Sequence, residues 1–229
     1  MLQRQAAPLR AQLVEKLRED IVTGRYGAGD RLLERSLEAE YGVSRTVVRE
    51  SLRQLESERL VEIVPNVGPR VRALSYDEIV NLYEVRSTLE SAASRFAAQG
   101  ASASQVNDLR AAFEHLVTSA GTLPIAEMIK EKNRFYEALI EASGNPIIGE
   151  MLGNVQARIA QLRSITLAST DRTPHMLAEL RKVVECIEAR DPAGAVQASE
   201  DHVESARQIA LRHVALSQPG DGSQPSLTT

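Results

Sequence analysis

The chain has 229 residues, 43% of them hydrophobic and 25% charged, with a formal net charge of −4. These proportions are ordinary for a globular protein with a sizeable core, and they exclude a low-complexity or highly charged chain. No apolar run approaches the roughly 20 residues that cross a bilayer, and the first eight residues lack the apolar core of a secretory signal, so we expect no membrane partner. The single cysteine, Cys186, excludes an internal disulfide and favours a cytoplasmic location.

Three helices followed by a hairpin are predicted near the start of the chain. Apolar residues recur at helical spacing, and two β-branched runs flank a turn rich in Pro, Asn and Gly. This order outlines a winged helix-turn-helix, which we assign to residues 1–74. The predicted helices cover about 9–24, 34–40 and 45–59, and the predicted strands cover 61–64 and 70–72.

From Ser75 onward every signal is helical. Capping-box patterns and Pro residues that follow a cap residue mark the helix starts, and no strand signal interrupts them. The fold class is therefore mostly α, with an antiparallel helical bundle over 75–216 behind the winged helix. The tail 217–229, rich in Gly, Ser, Pro and Gln, is predicted to be disordered. The bundle helices are expected over about 75–99, 102–119, 125–142, 146–169, 174–190 and 192–216.

A cationic stripe runs along the third predicted helix. Arg45, Arg49 and Arg53 are spaced at i, i+4 and i+8, which places them on one face, and Ser44 and Thr46 add hydroxyl groups at its start. A recognition helix needs this arrangement, because arginine on a helix in the major groove can form hydrogen bonds with guanine or phosphate. The alternative is a solvated face paired with nearby glutamates. The position of the helix in a helix–helix–helix–hairpin unit favours DNA reading.

Four stretches of residues 9–71 carry a family resemblance: Gly29-Asp30-Arg31-Leu32, Gly42-Val43-Ser44-Arg45-Thr46, Val48-Arg49-Glu50-Ser51-Leu52 and Asn66-Val67-Gly68. They resemble the DNA-binding domain of the GntR family of bacterial transcription regulators. The resemblance implies a homodimer that binds a pseudo-palindromic double-stranded DNA operator, with repression as the default. It also implies the DNA contacts, which are Arg35, Ser44, Arg45, Thr46, Arg49 and Gly68.

The chain departs from that family pattern at two positions. Val47 stands where the family usually has Pro, and Arg59 stands where a Gly usually closes the recognition helix. Because arginine lacks glycine's ease at positive φ, we expect the helix to end differently there. Neither change removes an expected DNA contact.

The helical half, about residues 75–211, carries a second resemblance. Its stretches are Tyr83-Glu84-Val85-Arg86-Ser87-Thr88-Leu89-Glu90, Phe135-Tyr136, Ser143-Gly144-Asn145-Pro146 and Ala189-Arg190-Asp191. They resemble the FCD effector-binding domain of the FadR-type branch of the same family. The resemblance implies a transcription regulator, not an enzyme, whose bundle dimerises and binds a small effector.

Many FCD domains hold a divalent metal with one Asp and three His. Carried over position by position, the Asp falls on Lys132, and the first two His fall on Tyr136 and Leu180. Only the last His remains, as His202. One imidazole beside a lysine and a phenol does not make a zinc site, since metal binding needs several deprotonated donors. We predict no metal and no cofactor.

A cationic effector site is the expected replacement for the metal. The resemblance places Arg86, Lys132, Tyr136 and His202 in the pocket, where the two cations would hold the carboxylate or phosphate of a small organic acid. Arg158 and Arg163 are further candidates to point inward. The open alternative is that Lys132 pairs with Glu90 or another internal acid and the pocket is degenerate, because a buried cation needs a partner.

Two other function classes are weighed against a ligand-controlled regulator. Cys186 or Lys132 could serve an enzyme as nucleophile or Schiff-base amine, but the sequence shows no activating neighbour for either. A DNA-binding protein whose helical half only dimerises is the second alternative. A ligand-dependent change in operator affinity would distinguish it from a sensor.

Overall fold

Helices form most of both halves of the chain, and one hairpin lies between the halves. The structure is a computed structural model that describes residues 6–168 and 172–217. Its first half contains α1 (Ala6–Val22), α2 (Glu34–Tyr41), α3 (Arg45–Ser57), β1 (Val61–Val64) and β2 (Gly68–Val71). Its second half contains α4 (Tyr76–Gly100), α5 (Ala103–Ser119), α6 (Ile125–Ser143), α7 (Pro146–Ala168), α8 (Arg172–Glu188) and α9 (Pro192–Ser217).

The N-terminal unit is a winged helix-turn-helix with its own apolar core. Leu17 on α1 packs among buried side chains that include Val48 and Leu52 on α3. A buried polar contact also ties α1 to α2: the Asp20 carboxylate accepts the Tyr41 hydroxyl at 2.5 Å. The helices are held by both apolar packing and this charge-assisted hydrogen bond.

The wing is an antiparallel pair in which Val61 lies opposite Val71 and Val64 opposite Gly68. The second strand begins at Gly68, two residues before the predicted start, because backbone pairing extends over Gly68 and Pro69, neither of which is β-branched. The segment 29–32 lies along the other edge of β2, with the Gly29 N–H 2.9 Å from the Val71 carbonyl oxygen. The hairpin is thereby joined to the connection between α1 and α2.

The C-terminal unit is the expected helical bundle, with α4 packed against α6, α7, α8 and α9. The capping box at Ser75 is present: its hydroxyl accepts the Glu78 N–H at 3.2 Å, and the Glu78 carboxylate accepts the Ser75 N–H at 3.1 Å. The same reciprocal pair forms between Ser102 and Gln105. The predicted fold class, a winged helix-turn-helix followed by an all-α bundle, is confirmed. In the described part of the chain, no helix is long and apolar enough to cross a membrane.

Helix ends in the bundle differ from the predicted ones by one or two residues. Helix α8 begins at Arg172 rather than at Pro174, because proline is tolerated anywhere in the first turn, where its missing N–H has no partner to lose. Helix α9 continues through Ser217, the first residue of the tail that was predicted to be disordered. The rest of that tail, 218–229, lies outside the described residues.

The end of α3 overturns the expectation for Arg59. This arginine adopts the left-handed conformation that glycine usually provides, with φ 61°. The following Leu60 N–H then reaches back to the Leu55 carbonyl oxygen at 3.0 Å, which closes the helix. The arginine therefore keeps the family's helix end, at the cost of backbone strain.

The two halves meet over α1, α6 and α7. Lys130 on α6 forms an ion pair with Glu19 on α1 at 3.1 Å. In the connection between the halves, Leu74 is buried with Ile79 and Leu82 of α4. The junction is therefore anchored by apolar and charged contacts on either side of the connecting segment.

Candidate functional site

Helix α3 presents a cationic face to solvent. The Ser44 hydroxyl caps the helix by accepting the Val47 N–H at 3.4 Å, while Val48 and Leu52 are buried against the core of the unit. The opposite face carries Arg45 and Arg49, whose side chains are 63% and 55% exposed. The cap and the apolar face thus fix the helix with these two arginines on its exposed side.

An acidic residue that the sequence did not single out holds both of these arginines. The Glu34 carboxylate on α2 accepts the Nε–H of Arg45 at 2.9 Å and the Nε–H of Arg49 at 2.9 Å. The pairing keeps the two guanidinium groups side by side in the absence of DNA. No local sequence pattern reveals it, since Glu34 lies 11 and 15 residues away from its partners.

The other predicted DNA contacts lie on α2, on α3 and in the wing. Arg35 and Thr46 are exposed near the start of their helices. Gly68 follows the turn of the wing with φ 97°, a conformation that favours glycine. A recess of about 210 Å³ separates the recognition helix from the wing, and residues of both elements line it, including Arg49, Arg53 and Gly68.

A second polar cluster lies inside the bundle and brings together the four predicted effector residues. Arg86 on α4, Lys132 and Tyr136 on α6, and His202 on α9 are each at most 2% exposed. Glu90, one turn after Arg86, is buried with them and accepts the Arg86 Nε–H at 2.7 Å. A cluster of this polarity in an apolar core is costly unless its members are paired.

Hydrogen bonds connect the cluster across four helices, α4, α6, α8 and α9. Arg86 donates to the Tyr136 hydroxyl oxygen at 2.8 Å, and that hydroxyl lies 3.0 Å from Nε2 of His202. The other ring nitrogen of His202, Nδ1, lies 2.7 Å from the Glu179 carboxylate on α8. Glu179 in turn accepts two hydrogen bonds from Arg172, at 2.8 and 2.7 Å.

The protonation states in this chain of contacts follow from burial and charge. Burial, together with the positive charges of Lys132 and Arg86, lowers the pKa of His202 to about 3. Burial alone would raise the pKa of Glu179, but the hydrogen bonds from His202 and Arg172 lower it to about 2. The imidazole is therefore neutral with its proton on Nδ1, so Nε2 accepts the Tyr136 hydroxyl proton.

The cluster carries more positive than negative charge. Arg86 and Lys132 supply two positive charges, and Glu90 supplies one negative charge, while Glu179 and Arg172 balance each other. The Lys132 ammonium lies 5.9 Å from the centre of the Tyr136 ring. Among these named groups, one positive charge remains in excess, which is the electrostatic requirement for an anion site.

The donor set does not fit a metal ion. Nε2 of His202 is engaged by the Tyr136 hydroxyl, and the position of another expected ligand is the apolar, buried Leu180. Among the described residues, no group of three or more His, Cys, Asp or Glu side chains is arranged to hold a metal. No chemistry of this site is therefore derived through a metal.

Three other candidates from the sequence lie elsewhere or outside the described residues. Arg158 was expected near Arg86, but it lines the cleft between the two halves and contacts Glu78 at 3.5 Å instead. The side chain of Arg163 lies outside the described residues. Burial raises the pKa of the Cys186 thiol, which is the opposite of what a nucleophile needs.

The sequence did not reveal Glu179 and Arg172 as members of the bundle cluster. They lie seven residues apart, two turns along α8, and meet His202 only because α8 packs against α9. Seven-residue spacing does place two side chains on one helix face, but nothing in it indicates a buried partner on another helix.

Two protein-family models match the chain. The model described as "Bacterial regulatory proteins, gntR family" matches residues 9–71, and the model described as "FCD domain" matches residues 81–205. The first range contains the winged helix with its exposed arginines. The second contains Arg86, Lys132, Tyr136 and His202.

Relatives and solved structures agree with these matches. The uncharacterized HTH-type transcriptional regulator YdhC of Bacillus subtilis is 26% identical over 83% of this chain and 85% of its own. The probable D-xylose utilization operon transcriptional repressor of Paenarthrobacter nicotinovorans is 29% identical over 80% of each chain. The solved structure of Escherichia coli McbR/YncC has a TM-score of 0.77 at 19% identity, covering 93% of this chain and 100% of that one. At that identity the structural likeness shows the fold alone.

Proposed function

The chain belongs to the GntR family of bacterial regulatory proteins and carries an FCD domain, and from that premise we propose that a small organic anion bound in the bundle controls its affinity for an operator. It is a transcriptional regulator and not an enzyme. The proposal extends this to a cytoplasmic homodimer that represses transcription. The relative named as a probable operon repressor supports the sign of that regulation.

DNA binding is assigned to the exposed face of α3 and to the wing. Two recognition helices related by a two-fold axis require a pseudo-palindromic operator, because each helix reads one half-site. The exposure of Arg45 and Arg49 and the glycine conformation at Gly68 support this assignment. In this assignment, Arg35, Ser44 and Thr46 make further contacts with the DNA.

Effector binding is carried by one observation, the burial of two cations, a phenol and an imidazole together inside the bundle. Arg86 pairs with Glu90, and a ligand carboxylate bound beside Arg86 and Lys132 would add a second negative charge to the cluster. Tyr136 and the neutral His202 supply hydrogen-bonding groups beside it. A small organic acid fits this chemistry better than a neutral or cationic ligand.

The effector would reach the DNA-binding unit through α4. Arg86 lies 11 residues after Ser75, about 16 Å along the helix that begins directly after the connecting segment. A ligand that pulls on Arg86 and Lys132 changes how α4 packs on α6. It shifts operator affinity only if it binds more tightly to one orientation of the two halves.

The DNA-binding half of the proposal is tested with Arg49→Ala. An operator is first selected from fragmented genomic DNA with the wild-type protein, and gel shifts then compare the two proteins on that site. We expect the variant to lose specific binding while its circular dichroism remains unchanged, because Arg49 is exposed and its loss leaves the core intact. Unchanged binding by the variant would show that α3 is not the reading helix.

The effector half is tested with Lys132→Met, which keeps most of the side-chain length and removes the charge. The wild-type protein is screened against small carboxylic acids by thermal shift, since a ligand that binds only the native state raises its apparent stability. We expect the variant to lose most of the shift and the operator release while its ligand-free DNA binding is retained. The exposed Lys182→Met variant is the matched control and should respond as the wild type does.

One observation favours the alternative of a ligand-free, dimerising bundle. The buried Arg86 already has an acid partner, Glu90, one turn away on its own helix. If the cluster only stabilises the bundle, Lys132→Met lowers the melting temperature and no carboxylic acid changes operator affinity. That pattern would support the alternative over the effector site.

A further inference from the structure

A cluster of arginines lies where the winged helix meets the bundle. Arg72, just after β2, and Arg158 on α7 both contact the same carboxylate oxygen, Oε1 of Glu78 at the start of α4. Arg59, at the end of α3, lines the same cleft as Arg158. We call Arg59, Arg72, Arg158 and Glu78 the junction cluster.

The hydrogen bonds of the junction cluster are incomplete. Both oxygens of the Glu78 carboxylate are engaged: Oε1 accepts a hydrogen bond from Arg72 and forms an ion pair with Arg158, while Oε2 accepts the Ser75 N–H of the capping box. Two buried guanidinium nitrogens, Nη1 of Arg72 and Nε of Arg158, have no hydrogen-bond partner among the described residues. Buried hydrogen-bond donors nearly always have a partner, so these two unpaired nitrogens need an explanation.

The charge of the junction cluster is also unbalanced. Two guanidinium groups, those of Arg72 and Arg158, share the Glu78 carboxylate, and Arg59 lines the cleft beside Arg158, so these four residues together carry a formal charge of +2. Burial and the repulsion from Arg72 and Arg59 lower the pKa of Arg158, which is the response of a cation held near others of its sign. An anion bound beside Arg59 and Arg158 would relieve this repulsion.

We propose that the junction cluster binds a phosphate-type oxyanion, either the free ion or the phosphate of a small metabolite. Guanidinium groups suit such a ligand because their planar N–H pairs match two oxygens of one phosphate. A cleft of about 920 Å³ lies beside Arg59 and Arg158 and provides the access and the room. The site is separate from the effector cluster, since Glu78 precedes Arg86 by eight residues, about 12 Å along α4.

The bound oxyanion would join the two halves of the protein. Arg59 belongs to the winged-helix unit and Arg158 belongs to the bundle, so one anion held by both fixes the relative orientation of the two units. This goes beyond the proposed function, which places its ligand inside the bundle. The regulator would then respond to two anions at two sites.

The test uses inorganic phosphate and the full chain without DNA or carboxylic acid. Melting temperatures are measured in phosphate and in chloride at matched ionic strength. At about ten times the dissociation constant, we expect phosphate to raise the melting temperature by about 3–5 °C. Arg158→Gln should abolish most of that shift. In chloride the same variant should melt at or above the wild-type temperature, because it removes one of the mutually repelling charges.

Two matched variants exclude other anion sites. Arg134→Gln removes an exposed arginine of α6, and Arg49→Gln removes an arginine of the DNA-facing surface, so both should keep the phosphate shift. A simple phosphomonoester is tested alongside inorganic phosphate. A larger rise in melting temperature with the ester indicates that the ligand is a phosphorylated metabolite, and an equal rise indicates the free ion. Either result supports the site. The absence of a phosphate-specific shift, or a full shift in Arg158→Gln, would overturn the proposal. Because neither measurement involves DNA or the bundle effector, failure here leaves the proposed function untouched.

Discussion

His202 is a buried imidazole held neutral between a phenol and a carboxylate. In the folded protein its pKa is lowered to about 3, whereas an unfolded chain titrates the same ring near 6.5. Between these values the unfolded state binds one more proton than the folded state, so acidification favours unfolding. The lowered pKa of Glu179 acts in the same direction, but only below its unfolded value of about 4.5.

Between pH 6 and pH 4.5 the proton uptake of this pair therefore belongs to His202. We expect it to reduce the free energy of unfolding by about 1.4 kcal/mol for each pH unit in that range. In His202→Asn, which keeps a donor towards Glu179, the dependence on pH should be shallower by that amount. Denaturant unfolding at several pH values measures it. The exposed His115→Asn variant should retain the wild-type slope, and an unchanged slope in His202→Asn would mean that the buried ring does not titrate in this way.

Two helices of the protein end with an arginine in the left-handed conformation, and the two ends are held differently. Arg190, at φ 56°, donates to the Ala101 carbonyl oxygen at 2.6 Å and so satisfies a group beyond its own helix. Arg59, at φ 61°, instead lies near Arg158, whose pKa its positive charge helps to lower. The guanidinium of Arg190 thus adds a hydrogen bond to its helix end, whereas that of Arg59 adds repulsion from a like charge.

Glycine substitution at these two ends should have opposite effects. Arg59→Gly relieves the strain at the end of α3 and should stabilise the protein by about 1 kcal/mol, which raises the melting temperature by about 2–4 °C. Arg190→Gly relieves similar strain but loses the hydrogen bond to Ala101, so it should be destabilising. Thermal melting of both variants checks the pair. A lower melting temperature for Arg59→Gly would show that its guanidinium contributes more than the strain costs.

Ion pairs between α2 and α3 hold two arginines of the proposed recognition helix before DNA binds. Glu34 neutralises part of the charge of Arg45 and Arg49, and DNA must compete with it for both. We expect Glu34→Gln to bind non-specific DNA about three- to tenfold more tightly, with a steeper salt dependence, because phosphate contacts dominate that binding. Specific binding should improve less, so discrimination falls.

Equilibrium binding to random and selected DNA at several salt concentrations measures both effects. Glu127→Gln changes the net charge equally but lies on α6, where it pairs with Lys130. It should leave both affinities as they are in the wild type. Equal tightening by the two variants would indicate a general charge effect rather than release of the recognition helix.

The elements were predictable because their signals are local. Ser75 and Glu78 predict a capping box within four residues, and the spacing of apolar residues predicts the buried faces of the helices. The contacts of Glu34 and Glu179, and the placement of Arg158, were not predictable, since each depends on how two helices pack. The left-handed Arg59 was missed for another reason: the local preference against it is real, and the Leu60–Leu55 hydrogen bond overrides it.

At the scale of the whole molecule, the lack of a fitting donor set among the described residues leads to an expectation about metal content. Protein purified without chelator should contain no stoichiometric zinc, nickel or manganese, and EDTA should leave its melting temperature unchanged. The reason is that Tyr136 occupies the histidine nitrogen that a metal would need. Elemental analysis and melting with and without EDTA test this. One tightly bound transition metal per chain would contradict it.

The packing of the bundle also has a consequence for how the chain is made. Helix α4 packs more extensively against α9, the last described helix, than against any other element. During synthesis the bundle therefore waits for α9, whereas the winged helix has all its strands and helices by residue 71. The nascent chain passes through an interval in which the winged-helix unit is complete and the bundle is not. Under the proposed function, a chain still on the ribosome therefore has its DNA-binding unit before it has the bundle that dimerises and responds to the effector.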